Sequence, residues 1–204
     1  MKRGLATFAD SSGALSVLAP AEWQRGQFSF EGGPGMLVAD GNPEAFPGQE
    51  HELTISGATF VASPSLPARL GIFDARDNWF VPLTDWVTRE IGSFGGAGGS
   101  YGGGETWHRD SGFNGGAFYG VSRIWHECGE AGRTMRDLAM IPSDASFVAY
   151  LRVIYLPSEE AIADSIAHSF EVDGAALAPA AQRAMEPAGG VASASVAGAI
   201  PSPS

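Results

Sequence analysis

Lysine is almost missing from this chain: Lys2 stands alone beside 11 Arg, and cysteine occurs once, as Cys128. One Cys excludes both a disulfide framework and a Cys-rich zinc site. Charged residues make up 17% of the 204 positions, against about 25% in an average domain. The 12 basic residues are outnumbered by 23 acidic ones, giving a formal net charge of -11. That balance leaves no field to attract phosphates, so nucleic acid is a poor partner. No stretch approaches the roughly 18 apolar residues of a membrane-crossing helix, and no membrane insertion is expected. Met1-Lys2-Arg3 with Leu5, Ala6 and Phe8 has the flavour of a secretory leader, but Asp10-Ser11-Ser12 interrupts the apolar run. The interruption comes before the 7–15 residues or so that an apolar leader region needs. We therefore expect no signal peptide, synthesis in a cytoplasm, and a reduced Cys128 thiol.

Glycine and aromatic residues, by contrast, are plentiful: 28 Gly, 12 Phe, 5 Trp and 4 Tyr, within a hydrophobic fraction of 44%. That is enough to fill a core. The Gly are unevenly placed, with 12 of them in the 29 residues from Gly92 to Gly120. From Gly174 to Ser204 the chain is mostly Ala, Gly, Ser and Pro, with Arg183 and Glu186 its only charges. We divide it into an N-terminal extension with the first strands (1–45), a core of 46–172 containing a Gly-rich loop at 92–116, and a C-terminal tail of 173–204. Length alone allows one domain with extensions.

The apolar pattern is mainly of period two. Glu52–Ala62 alternates Leu53, Ile55, Thr59 and Val61 on one face. Ala68–Phe73 and Trp79–Val81 read as short strands flanking a turn at Asp74–Asn78. Ala117–Glu127 alternates Tyr119, Val121, Arg123 and Trp125 against Phe118, Ser122 and Ile124. Met135–Ile141 is a further short strand. Ser146–Leu156 is nearly continuously apolar, as in a strand covered on both faces. One helix follows, with Ser158 placed to cap it, Glu159 and Glu160 in its first turn, and Ile162, Ile166 and Phe170 on one stripe. The pattern predicts an all-β sandwich with one short C-terminal helix and extended termini.

Phe46-Pro47-Gly48-Gln49 leading into Glu52–Gly57 is similar to the first long strand of galactose-binding-like jelly rolls, the fold of many carbohydrate-binding modules. Ala68–Phe80, with its Asp-bearing turn, resembles their next hairpin. Met140-Ile141-Pro142-Ser143-Asp144 before Phe147–Tyr155 resembles their closing strand. The resemblance spans roughly residues 46–156 and implies a jelly-roll β-sandwich. Such modules occur in polysaccharide-degrading enzymes and in bacteriophage fibre, spike and decoration proteins. It implies a non-enzymatic virion structural protein, oligomeric, concerned with host attachment and able to touch cell-surface carbohydrate. The alternatives it leaves open are a free carbohydrate-binding module or adhesin, and an enzyme acting on polysaccharide. Fold-level likeness does not choose between them.

The candidate contact residues lie in and beside the Gly-rich stretch: Tyr101, Trp107, His108, Arg109, Asp110, Asn114 and Tyr119. A sugar presents an apolar ring face and a rim of hydroxyls, which suits aromatics beside groups that pair with hydroxyls. The competing account is that the aromatics pin a loop onto the sandwich or pack on a neighbouring subunit. Glu105 and Asp110 are the only conceivable carboxylate pair there, and no catalytic assignment is made. Asp74, Asp77 and Asn78 supply three oxygens for Ca²⁺, short of the 6–8 it takes, so a turn is preferred. His126 and Cys128 share a strand face without further ligands, and no cofactor is expected. A tail of small residues cannot repay its own ordering entropy by burial. It is suited to lying along neighbours, so copies of the chain and other particle subunits, met through both termini, are the expected partners.

Overall fold

The computed structural model describes residues 4–30, 32–43, 55–72, 80–92, 100–113 and 116–178. In chain order the elements are β1 (Leu5–Ala9), β2 (Leu15–Pro20), β3 (Gln24–Phe30), β4 (Gly33–Ala39), β5 (Gly57–Ser63), α1 (Leu66–Leu70), α2 (Phe80–Gly92), β6 (Ser100–Phe113), β7 (Gly116–Cys128), β8 (Arg133–Pro142), β9 (Val148–Tyr155), α3 (Glu160–Ser169) and β10 (Glu171–Val172). The hydrogen-bonded order is β1-β2-β10-β6-β7-β8-β9-β5-β4-β3. All pairings are antiparallel except the single bridge Val172↔Phe113. That bridge joins two antiparallel groups, β1-β2-β10 and β6-β7-β8-β9-β5-β4-β3. The chain turns from one group to the other between β2 and β3, and β2 packs against β4 and β5. A mostly-β architecture with a short C-terminal helix is therefore what the sequence builds, with α1 and α2 as two helices that the expected all-β pattern lacked.

The apolar residues form two clusters, one on each side of the larger group. The first joins Leu15, Val17, Trp23, Met36, Phe60, Phe118, Leu138 and Leu151 with Ile166 and Phe170 of the α3 segment. Phe170 meets Phe60 edge-on, with ring centroids 5.1 Å apart. The second joins Val121, Met135, Ala139, Ile141, Val148 and Ile154 with Leu66 and Ile72, and with Leu83 and Trp86 of α2. Alternate residues of β8 and β9 feed opposite clusters, so both strands are covered on both faces. β9 (Val-Ala-Tyr-Leu-Arg-Val-Ile-Tyr) has no exposed position.

The alternation expected of 117–127 is realised, with Phe118 in the first cluster and Val121, Tyr119 and Trp125 at the second. The C-terminal helix also forms, though its start is held differently. Pro157–Glu159 makes a 3-10 turn, and the Glu159 carboxylate accepts the Leu156 N–H at 3.1 Å. Ser158 does not cap it.

Three readings are corrected. Ala68–Ile72 is not a strand: Leu66–Leu70 is helical, with Pro67 in the first turn and Gly71 left-handed at φ 71° closing the end. Pro opening and Gly closing a helix is the expected asymmetry. Phe80 and Val81 open α2 instead of ending a hairpin, because Leu83 and Trp86 bury one helical face. The interval 92–116 is not a loop throughout, since 100–113 is the longest strand of the sheet. The first strands expected in 1–45 are β1–β4 of the sheet, and the chain stays packed past Asp173. The Asp173 N–H donates to the Ala14 carbonyl at 2.9 Å, its carboxylate accepts the Ala175 N–H at 2.8 Å, and Leu177 is buried.

Gly120 shows how closely the central strands approach. A Cβ there would lie 2.4 Å from the Ala139 carbonyl oxygen and 2.9 Å from Met140 Cγ. Backbone cannot swing aside as a side-chain tip can, so Gly120→Ala should force β7 and β8 apart. We expect a loss of about 1–3 kcal/mol in urea unfolding. Gly4→Ala, which meets nothing within 4 Å, should stay within about 0.5 kcal/mol.

Candidate functional site

The residues expected to make contacts fall on the hairpin of β6 and β7. Pairing runs from Ser100↔His126 to Arg109↔Phe118 and resumes at Phe113↔Gly116, with irregularities at Tyr101/Gly103 and Arg109/Phe113. Gly is needed at the first of these. Gly103 adopts φ 130°, and a Cβ on Gly102 would meet the His126 ring at 2.5 Å. Tyr101 pairs with Trp125, Trp107 with Gly120, His108 with Tyr119, and Arg109 with Phe118. Asp110 lies just beyond the last regular pair, and Asn114 lies outside the described residues.

This arrangement brings some of the set together and separates the rest. Trp107, His108 and Arg109 are consecutive, and Tyr119 is across the ladder from His108. Tyr119 is half-buried against the second apolar cluster. At about 3.4 Å per residue, Tyr101 and Asp110 stand about 30 Å apart along the strand. The residues form a line and do not converge on one pocket. By the same measure Glu105 and Asp110 are about 17 Å apart, well beyond the roughly 5–10 Å separating paired carboxylates in glycosidases.

The metal readings gain nothing. His126 Nδ1 lies 3.4 Å from Thr134 Oγ1, and the Cys128 thiol points at the His126 carbonyl at 3.8 Å. Burial pushes the Cys128 thiol above its ordinary pKa, the reverse of what a nucleophile needs. Glu127, between them, sits at φ 58° in the bulge that ends β7. Among the described residues no group of three His, Cys, Asp or Glu could hold a metal ion. Asp74, Asp77 and Asn78 lie outside the described residues.

The sequence reading missed a buried polar cluster under α2. Asp137 of β8 is wholly buried and stands opposite Arg152 of β9. Its Oδ1 accepts the Arg152 Nε–H at 2.7 Å and also the Tyr150 hydroxyl. The Arg152 guanidinium lies over the Tyr150 ring, 5.8 Å from its centroid, and Trp86 meets that ring edge-on at 5.6 Å. Loss of water raises the Asp137 carboxyl and the Tyr150 hydroxyl above their ordinary pKa values. Among the described residues, Asp137 Oδ2 and Trp86 Nε1 find no hydrogen-bond partner. The available signal was a lone Asp in Leu-Ala-Met-Ile surroundings and a lone Arg in an otherwise apolar strand.

Two further polar links tie helix to sheet. Arg133 donates to Ser56 Oγ at 2.6 Å, and Ser56 donates to Glu159 at 2.5 Å, fixing the approach to α3. Burial lowers the Arg133 pKa, and the nearby Glu159 and Asp40 charges oppose that. Arg136 then bonds Asp164 of α3 at 2.6 Å.

No protein family matches the chain, and no curated protein matches it. Among solved structures it is similar to the solution structure of cyanobacterial PsbP (CyanoP) from Synechocystis, at 14% identity and a TM-score of 0.47, over 84% of this chain and 94% of that one. It is also similar to a crystal structure from Bacteroides thetaiotaomicron, at 9% identity and a TM-score of 0.38, over 83% of this chain and 48% of that one. At these scores neither likeness bears on function.

Proposed function

We propose that the protein is a non-enzymatic structural subunit of a larger particle, with the β6–β7 hairpin as its contact element. The observation that carries this reading is the placement of Glu105, Trp107 and Arg109 at alternate positions, and so on one face, of a long strand. A line of aromatic and hydrogen-bonding residues suits a chain-like or extended surface, such as a polysaccharide or an adjoining subunit. Small-molecule sites, in contrast, are concave. The particle implied by the sequence resemblance is phage-like, with host-surface glycan as the material touched. The buried charges serve the scaffold in this reading: Asp137 and Arg152 lock two strands, and Arg136 and Asp164 hold α3.

The finer fold description belongs to the same proposal. The two antiparallel groups are read as the layers of a sandwich with the first apolar cluster between them. The sequential order β6-β7-β8-β9 supports a meander within the larger layer. It lends no support to the interleaved strand order of a jelly roll.

A free carbohydrate-binding module remains the second reading, favoured by the same aromatic line. Glycan arrays and titration calorimetry separate the two. Measurable sugar affinity that Trp107→Ala reduces about tenfold, the worth of one ring contact, would support glycan recognition. A flat response over many glycans would leave subunit contact as the hairpin's role.

For the termini, a chain shortened after Ala178 retains Leu177 in the core and should keep its circular dichroism. Loss of incorporation into particles would support the tail as an assembly element, and unchanged incorporation would sink that part of the proposal.

The bracing role of the buried pair is tested by stability. Asp137→Ala leaves Arg152 buried without its counter-charge and should cost about 3–5 kcal/mol. Asp137→Leu with Arg152→Met replaces both charges by apolar groups and should recover most of that loss in urea unfolding. A double variant as unstable as the single one would show that the pair contributes more than mutual compensation.

A further inference from the structure

We propose that two copies of this chain pair through the free edge of β6, antiparallel about a two-fold axis at Trp107. β6 is the longest strand, yet among the described residues its second side meets a strand only at Phe113, through the bridge to Val172 of β10. Among the described residues, Ser100–Gly112 has no strand on that side. The two ends of the sheet are handled differently. β1 has five residues, and Arg25 of β3 donates to the Ala9 carbonyl at the end of β1. Natural edges are blunted by shortness, Lys, Pro or bulges. β6 contains neither Lys nor Pro. Its irregularities sit at Tyr101/Gly103 and Arg109/Phe113, leaving Gly103–Arg109 as a regularly paired segment of edge that no described strand covers.

The charges on that segment choose the occupant. In an antiparallel pair centred on Trp107, Glu105 stands opposite Arg109 of the second copy, and symmetry makes this happen twice. Thr106 then stands opposite His108, and Trp107 opposite itself. Moving the centre half a residue toward the C-terminus sets Glu105 against Asp110, with like charges opposed. Setting Arg109 against Asp110 instead requires a centre beyond the last regular pair. Opposite charges directly across a ladder are favourable and like charges are not. An edge that pairs with its own copy is also consumed by doing so, giving a closed two-fold dimer and no fibre. The inference goes beyond the proposed function, because it needs neither glycan nor the termini.

Analytical ultracentrifugation of the full chain, with circular dichroism to verify folding, tests it. We expect a dimer whose Kd rises about tenfold or more in either Glu105→Arg or Arg109→Glu, with recovery when the two are combined. Mild oxidation of Trp107→Cys should give a disulfide-linked dimer, and Thr106→Cys should give far less, since only position 107 faces itself. The native Cys128 is buried and does not interfere. The cysteine pair also reads the register if a charge reversal unfolds the chain. A monomer at high micromolar concentration would overturn the proposal. So would a dimer indifferent to both charge reversals, or one cross-linked equally well at 106 and 107.

Discussion

Two-faced burial of β8 and β9 is the constraint from which the rest of the structure follows. A strand covered on both sides cannot shed a charge to solvent, so Asp137 and Arg152 must be answered within the sheet. They answer each other across the ladder, and Tyr150 adds a hydroxyl to the same oxygen. The net stabilisation from such a pair is small compared with apolar packing of the same volume. Its stronger effect is on register. A slip of one residue between β8 and β9 would carry every side chain to the other face and leave both charges without a partner. Apolar residues alone would tolerate that slip much better, because both faces of these strands are apolar.

The same constraint dictates the two helical covers. α3 closes the first cluster, held by Arg136–Asp164 and by the Arg133–Ser56–Glu159 chain. α2 closes the second through Leu83 and Trp86. Phe170 at the end of α3 meets Phe60 and Phe118 on one face of the sheet, and Trp86 of α2 meets Tyr150 on the other. Gly120 permits the close contact of β7 with β8 that keeps this layer dense.

How much was legible varied with how local the signal was. Strand β9, the alternation of β7 and helix α3 were readable because each declares itself within about ten residues. The α1 helix was missed although Pro67 and Gly71 mark its ends, since five residues give no periodicity to see. α2 was obscured by placing a hairpin turn at Asp74–Asn78. The long strand β6 was misread for a deeper reason: Gly disfavours strands intrinsically, and here cross-strand pairing with β7 overrides that preference. The candidate contact residues from Tyr101 to Asp110 were placed in a loop, which could have folded them together. A strand spaces them out.

Gly and the missing Lys, seen together, turn out to be one feature and not two. β6 has three Gly near its start, 102–104, that offer no bulk against an approaching strand, and the near absence of Lys removes the commonest device for keeping one away. A chain with 28 Gly and one Lys has few ways to protect an edge of 14 residues. Strand β1 manages by being short, and Arg25 of β3 reaches the carbonyl of Ala9 at its end. β6 has only bulges, and those sit at its ends. What lies between them is backbone hydrogen-bonding capacity with one acid and one base four residues apart. That spacing places the two charges on the same face of the strand, where a copy running the other way can match both. Composition, which made nucleic acid a poor partner to expect, therefore also favours the partner proposed for the sheet edge.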